Sequence, residues 1–129
     1  MKEKVRNYRD LQVWQRSRAL AVEVYRITES FPPHERYSLA DQMRRAAVSI
    51  PSNIAEGHIR QSPRVFAQHI DIALGSVAEL STQIDIALAV GYLSEETSQT
   101  LQSNLEEIAK MLFGLRTAVA QKARRLSTG

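Results

Sequence analysis

The chain has 129 residues, a formal net charge of +3 and no cysteine. That length suits one domain with its own apolar core, and the absence of thiols excludes a disulfide framework and a thiolate zinc site. The charged start MKEKVRNYRD is not expected to be a secretory signal. Asp71, Glu79, Asp85 and Glu95 punctuate the most apolar region, so no membrane span is expected and a cytoplasmic location is.

Sparse glycine and proline with abundant Ala, Leu, Gln, Glu and Arg favour helix. The first helix is expected over about 10–30, with Asp10 as its N-cap. Leu11, Trp14, Ala21 and Tyr25 form one stripe, and Val13, Leu20, Val24, Ile27 and Phe31 a second beside it. Together they span an apolar arc of about 200°, wider than a simple two-layer contact requires. FPPHERY then breaks the chain.

The second helix is expected over about 38–57, where Ser38 and Asp41 have capping-box spacing and Gly57 stands as a C′ stop. Its apolar face runs Leu39, Met43, Ala46 or Ala47, Ile50 and Ile54. Pro51 sits inside it, and a proline inside a helix costs roughly 3 kcal/mol through a lost hydrogen bond and a clash with the preceding turn. Pro51 is therefore expected to kink or divide the helix. Ser49, Ser52 or Asn53 would then satisfy groups near Ala47, and Arg44 and Arg45 would be aimed away from the core.

Ser62 and Pro63 form an N-cap and N1 pair for a third helix over about 63–90, which Gly91 ends. Phe66, Ile70, Ala73, Val77, Leu80, Ile84 and Ala87 alternate spacings of four and three, the seam of a bundle. Ser94, Glu95 and Glu96 open a fourth helix over about 95–125, with Leu101, Leu105, Ile108, Leu112, Leu115 and Val119 in register. Short connections make neighbouring helices antiparallel. The expected fold is all-α: one domain over 1–129, an antiparallel up-down-up-down four-helix bundle with a proline-interrupted second helix.

A bundle invites a di-metal centre, which needs Glu-x-x-His pairs on one helix face. His34, His58 and His69 are preceded at that spacing by Phe31, Ala55 and Phe66, and no two histidines stand four apart. No metal and no cofactor are expected, and the histidines read as turn or surface residues. No nucleophile elbow or phosphate-cradling loop is present either. Ser49, Asn53 and Glu56 are the one candidate acid–base group. A single carboxylate without a partner reads better as hydrogen bonding that holds a kinked helix end. No enzyme is expected.

Charge placement says more. In the expected topology Lys2, Lys4, Arg6, Arg9, Arg60, Arg64, Lys122, Arg124 and Arg125 meet at one end against Glu3, Asp10 and Glu56, a net +6. The other end sets Arg26 and Arg36 against Glu29, Glu35, Asp41, Asp85, Glu95 and Glu96, a net −4. Bases closing helix 4 complement its dipole, whereas those preceding helix 1 and flanking the start of helix 3 do not. A basic end kept against that preference points to a polyanion, nucleic acid first; a merely solvated cluster is the plainer alternative. Tyr8, among these arginines, reads either as a base-stacking ring or as partial packing.

YRDLQVWQRS, FPPHERYSLADQMRRAAVSIPSNIAEG and ALGSVAELSTQIDIALAVGYLS resemble the four-helix-bundle proteins of the 23S ribosomal RNA intervening-sequence family, from about Tyr8 to Val119. QMRRAAVSIPSNIAEG is the most specific part, and Arg44, Arg45, Ser49, Pro51, Asn53, Glu56 and Gly57 match its signature. The resemblance implies a bacterial protein with no established catalytic residues. It is similar in shape to the accessory protein of diversity-generating retroelements, a basic pentameric barrel that works with a reverse transcriptase and nucleic acid.

With the wide apolar arc of helix 1, this implies a cyclic homo-oligomer, a pentamer by first choice, whose basic ends share one face. The nucleic-acid-binding set is then Lys4, Arg6, Arg9, Arg44, Arg45, Arg60, Arg64, Lys122, Arg124 and Arg125, and the structural set Ser49, Pro51, Asn53, Glu56 and Gly57. The expected function is a non-enzymatic accessory protein binding RNA or DNA, structured RNA first. The alternative is a homo-oligomeric scaffold that docks a protein partner and binds no nucleic acid.

Overall fold

A computed structural model describes residues 7–128. Four helices follow in order: α1, Gln12–Thr28; α2, Leu39–Ile59; α3, Pro63–Ala89; and α4, Glu95–Thr128, with single 3-10 turns at Tyr8–Asp10 and Pro33–Glu35. The described chain is all-α, and the helices form a four-helix bundle.

Contacts between helices give their directions. Ser49 of α2 meets Ser76 of α3 and Asn53 meets His69, so the two run antiparallel. Arg116 of α4 meets Asp71 of α3 and Gln102 meets Asp85, so α3 and α4 do as well. The expected seams fill the core. Ile70, Ala73, Leu80, Ile84 and Ala87 of α3 lose all solvent contact, and Leu101, Leu105, Ile108 and Leu112 of α4 nearly all. Met43, Ala47, Ile50 and Ile54 of α2 close over them with Val24 of α1. Both Ala46 and Ala47 are buried. Beyond Leu112 the α4 stripe is only half-buried, at Leu115 and Val119.

Helix ends follow local chemistry, with exceptions. Ser62 Oγ accepts from Val65 N at 3.3 Å and Ser94 Oγ from Thr97 N at 3.1 Å, as N-caps do. Gly91 takes φ +85° while its N–H donates to Leu88 O and that of Tyr92 to Ala87 O, a Schellman ending that favours glycine. Asp10 is not the cap of α1: it closes the 3-10 turn, whose cap is Asn7, and α1 starts after Leu11. Ser38 holds the N-cap position of α2 without a side-chain cap bond, and the Asp41 carboxylate pairs with Arg45 instead of closing a capping box.

Two readings of α2 are overturned, a division at Pro51 and a stop at Gly57. It is one continuous helix through a buried Pro51, so the proline does not divide it. Gly57 is no C′ stop either, since α2 runs on to Ile59. A Cβ at residue 57 would lie 2.7 Å from His69 Cβ and 2.9 Å from Phe66 Cδ1. The glycine is required by the close approach of α3, not by a turn.

α3 is also more apolar than its acidic residues led us to expect. Its best 18-residue window has mean hydropathy 1.3, enough by length and composition to cross a membrane, and 39% of that window is buried in the bundle. Asp71, Glu79 and Asp85 are spaced too widely to lower the average further. The core helix of a water-soluble bundle meets the same criterion.

Candidate functional site

The segment around Pro51 carries a polar network on its α3-facing side. Asn53 Nδ2 donates to the carbonyl of Ser49 at 2.9 Å and to its hydroxyl at 3.0 Å. That fixes the amide: Oδ1 is left as acceptor, so the 3.0 Å contact with His69 Nδ1 requires His69 to donate from Nδ1. Ser49 Oγ continues the chain to the buried Ser76 Oγ at 2.8 Å. Ser49, Asn53 and Gly57 stand four apart and therefore share the helix face that α3 covers. The network stitches two helices together, and Glu56, exposed beside it, takes no part.

His69 is thus neither a turn nor a free surface residue. His58 packs edge-on against Phe66 with ring centroids 5.7 Å apart, in the last turn of α2. Among the described residues no three His, Asp or Glu side chains gather as a metal would need. Two open clefts lie among the described residues, beside others. One, of about 450 Å³ between α1 and α4, has a floor of Leu20, Ile27, Leu101 and Ile108 and a rim including Arg16, Glu23 and Glu96. The other, of about 340 Å³, lies by Phe31, Pro32, Arg36 and Arg44. Neither contains Asn53 or Glu56.

The basic residues divide into two groups. Arg60 is the C-cap of α2, and Arg64 stands across the turn in the first turn of α3; both are exposed. Because α3 and α4 are antiparallel, Lys122, Arg124 and Arg125 on the last turns of α4 reach the same end. Arg9 joins from the chain start, its guanidinium 4.8 Å from the Tyr8 ring centroid and 6.0 Å from that of Trp14. Tyr8 is half-buried and packs edge-on against Trp14 at 5.3 Å, so its ring is part of the fold. Lys4 and Arg6 lie outside the described residues, as do Lys2 and Glu3.

The extension of α2 also changes the electrostatic reading. Arg60 follows a helix C-terminus, where a cation is favourable, which leaves Arg64 at the start of α3 and Arg9 ahead of α1 as the described members of the group that oppose a dipole. Arg44 and Arg45 stand about 15 residues earlier on the same helix, roughly 24 Å away for Arg44 at 1.5 Å per residue. Arg44 is not aimed away from the bundle. Its Nε donates to Thr28 Oγ1 at 2.8 Å, Nη2 reaches Tyr25 O at 3.4 Å, and the guanidinium lies 4.9 Å from the Tyr25 ring centroid. It closes the C-terminal end of α1. Arg45 is exposed and paired with Asp41 at 2.9 Å.

A third charged feature was not foreseen. Arg116 and Asp71 form a two-pronged pair between α4 and α3, with Arg116 Nη2 3.0 Å from Asp71 Oδ2. The arginine's hydrogen bond holds the Asp71 carboxyl below the ordinary carboxylate value of 3.8. Nothing in the sequence pairs residues 71 and 116; His69 and Ser76 were missed for the same reason.

Comparison with known proteins adds a family. The family model for 23S rRNA-intervening sequence proteins matches residues 9–114, most of the chain. A crystal structure of a protein of unknown function from the S23 ribosomal protein family of Bacteroides thetaiotaomicron superposes with a TM-score of 0.76 at 23% identity. The alignment covers 81% of this chain and 95% of that one, which shows a shared fold. None of the curated proteins matches the chain.

Proposed function

The chain belongs to the 23S rRNA-intervening sequence protein family, and from that premise we propose that it is a non-enzymatic cytoplasmic accessory protein that binds structured RNA. Binding takes place on the basic end, and the working unit is a cyclic homo-oligomer, a pentamer by first choice. The supporting observation is the gathering of Arg9, Arg60, Arg64, Lys122, Arg124 and Arg125 at one end against Asp10 and Glu56, a net +4 in each copy. Arg64 stands there at a helix N-terminus, a position that disfavours a cation by about 0.3–1 kcal/mol. A phosphate backbone compensates for that. Cyclic symmetry turns the same end of every copy toward one face, multiplying the charge.

Contacts of this kind read phosphate, so affinity falls steeply with salt. Fluorescence anisotropy with a labelled RNA hairpin, at low and at physiological salt, tests the reading. Saturable binding is expected, with a log–log salt slope that Arg60→Glu with Arg64→Glu lowers by about 1.5–2. Absence of binding by the parent at low salt would overturn it in favour of the protein-docking scaffold.

A further inference from the structure

Of the described arginines only Arg44 and Arg116 are half-buried; the others are exposed. Arg116 has the Asp71 carboxylate as its partner. Arg44 has no such partner. Its Nε donates to Thr28 Oγ1, its Nη2 to the Tyr25 carbonyl, and its guanidinium lies over the Tyr25 ring. Each of these groups is neutral, and among the described residues no carboxylate stands within ion-pair reach of Arg44. A cation drawn partly out of water without a counter-ion is costly. The C-terminal end of α1 offsets some of that with roughly half a negative charge. The rest is left unbalanced.

The cleft of about 340 Å³ at this end of the bundle lies where that charge is presented. Arg44 forms one side and Arg36 another, with Phe31, Pro32, Pro33 and Ala40 completing the lining. Arg36 is exposed, and among the described residues it too has no carboxylate within reach. Its backbone is held by a proline-led 3-10 turn, which Arg36 closes by donating its N–H to the Pro33 carbonyl at 3.2 Å. Arg44 is held in turn by its bonds to α1, which use Nε and one N–H of Nη2. Both N–H groups of Nη1 and the second of Nη2 remain without a partner. Such a planar fork matches the paired oxygens of a phosphate or carboxylate. Ala40 stands one helical turn before Arg44 on the same face, and its small side chain leaves the space between the arginines open.

We propose that this cleft binds a small oxyanion, the phosphate or carboxylate group of a ligand held between Arg36 and Arg44. Glu29 is the acidic residue of the lining; it lies beyond ion-pair reach of both arginines and leaves the cleft a net +1. Glu35 and Asp41 flank the arginines in the chain. These carboxylates repel a long polyanion, so the ligand is a small molecule and not the RNA assigned to the opposite end. No broad positive field gathers anions here, and recognition depends on the two guanidinium forks.

NMR signals of the arginine Nε–H groups test the site, with the Arg44 signal identified by its disappearance in Arg44→Lys. The protein is titrated with inorganic phosphate and, separately, with acetate, each at an ionic strength held constant with sodium chloride. A saturable shift of the Arg44 signal is expected. The anion that saturates it at the lower concentration identifies the ligand's charged group as phosphate or carboxylate. The Arg36 side chain bonds to nothing in the chain, so Arg36→Ala keeps the fold, and it should weaken binding by about tenfold or more. Arg60→Glu with Arg64→Glu should leave the titration unchanged. Saturation by neither anion, a shift that chloride alone reproduces, or binding that Arg36→Ala leaves intact would overturn the site. So would binding that disappears with Arg60 and Arg64, which would place the anion at the basic end.

Discussion

Gly57→Ala puts the packing of α2 on α3 to a direct test. The added Cβ would lie 2.7 Å from His69 Cβ, 2.9 Å from Phe66 Cδ1 and 3.2 Å from His69 Cγ. The Phe66 ring edge can turn, but His69 Cβ is fixed to the α3 backbone, so relief requires the helices to part. Overpacking of this kind costs about 1–3 kcal/mol. Against it stands the helix propensity of alanine over glycine, about 1 kcal/mol in the opposite direction. The net expectation is a loss of about 0–2 kcal/mol, centred on about 1 kcal/mol, which in a domain of this size lowers Tm by roughly 4 °C.

The assay is thermal unfolding by circular dichroism at 222 nm, with Gly114→Ala alongside at a concentration where all species share one association state. Gly114 meets no neighbour, so alanine there should raise Tm by the propensity gain alone. If Gly57→Ala melted at or above the parent, the close approach would not be why glycine stands at 57. The alternative, a helix stop, would need reviving.

Asn53→Leu should cost about 1–3 kcal/mol in chemical denaturation, because His69 Nδ1 loses its partner in a half-buried site and the Ser49 hydroxyl keeps only Ser76; an unchanged midpoint would mean that water replaces the amide freely. Arg44→Lys should lose about 1 kcal/mol and recover little of an Arg44→Ala defect, since an ammonium lacks the planar Nε donor and the face that stacks on Tyr25. RNA affinity equal to the parent's would place Arg44 in the fold rather than the interface. The Asp71 carboxyl is lowered by Arg116, so the pair stabilises above the ordinary value of 3.8 and is lost as pH falls through the lower native value. Asp71→Asn should therefore melt slightly below the parent at pH 6, with the gap closing under strong acid and shrinking in high salt. A gap that persisted at pH 2 would assign the effect to packing.

Much of the bundle was legible because its determinants are local. Seams at spacings of three and four, the Ser62–Pro63 and Ser94 caps and the Gly91 ending depend on residues within a turn or two. Errors arose where a residue's reason lies on another helix. Gly57 has the look of a stop, and only the approach of α3 shows that it is a packing position. Pro51 has the look of a break, yet tertiary burial keeps α2 continuous through it. Arg44 counted as free positive charge until α1 supplied Thr28 and Tyr25.

The sequence by itself determined an all-helical chain, its four segments, the apolar face of each and the segment most characteristic of its family. Tertiary structure alone decided which polar groups pair across helices, as Asn53 with His69 and Asp71 with Arg116, and which apolar residues are left without a neighbour. The physical reason is one of range. Helical periodicity and capping are set by bonds a few residues apart, whereas partners between helices depend on how far each is shifted along the next. No spacing within one helix encodes that shift.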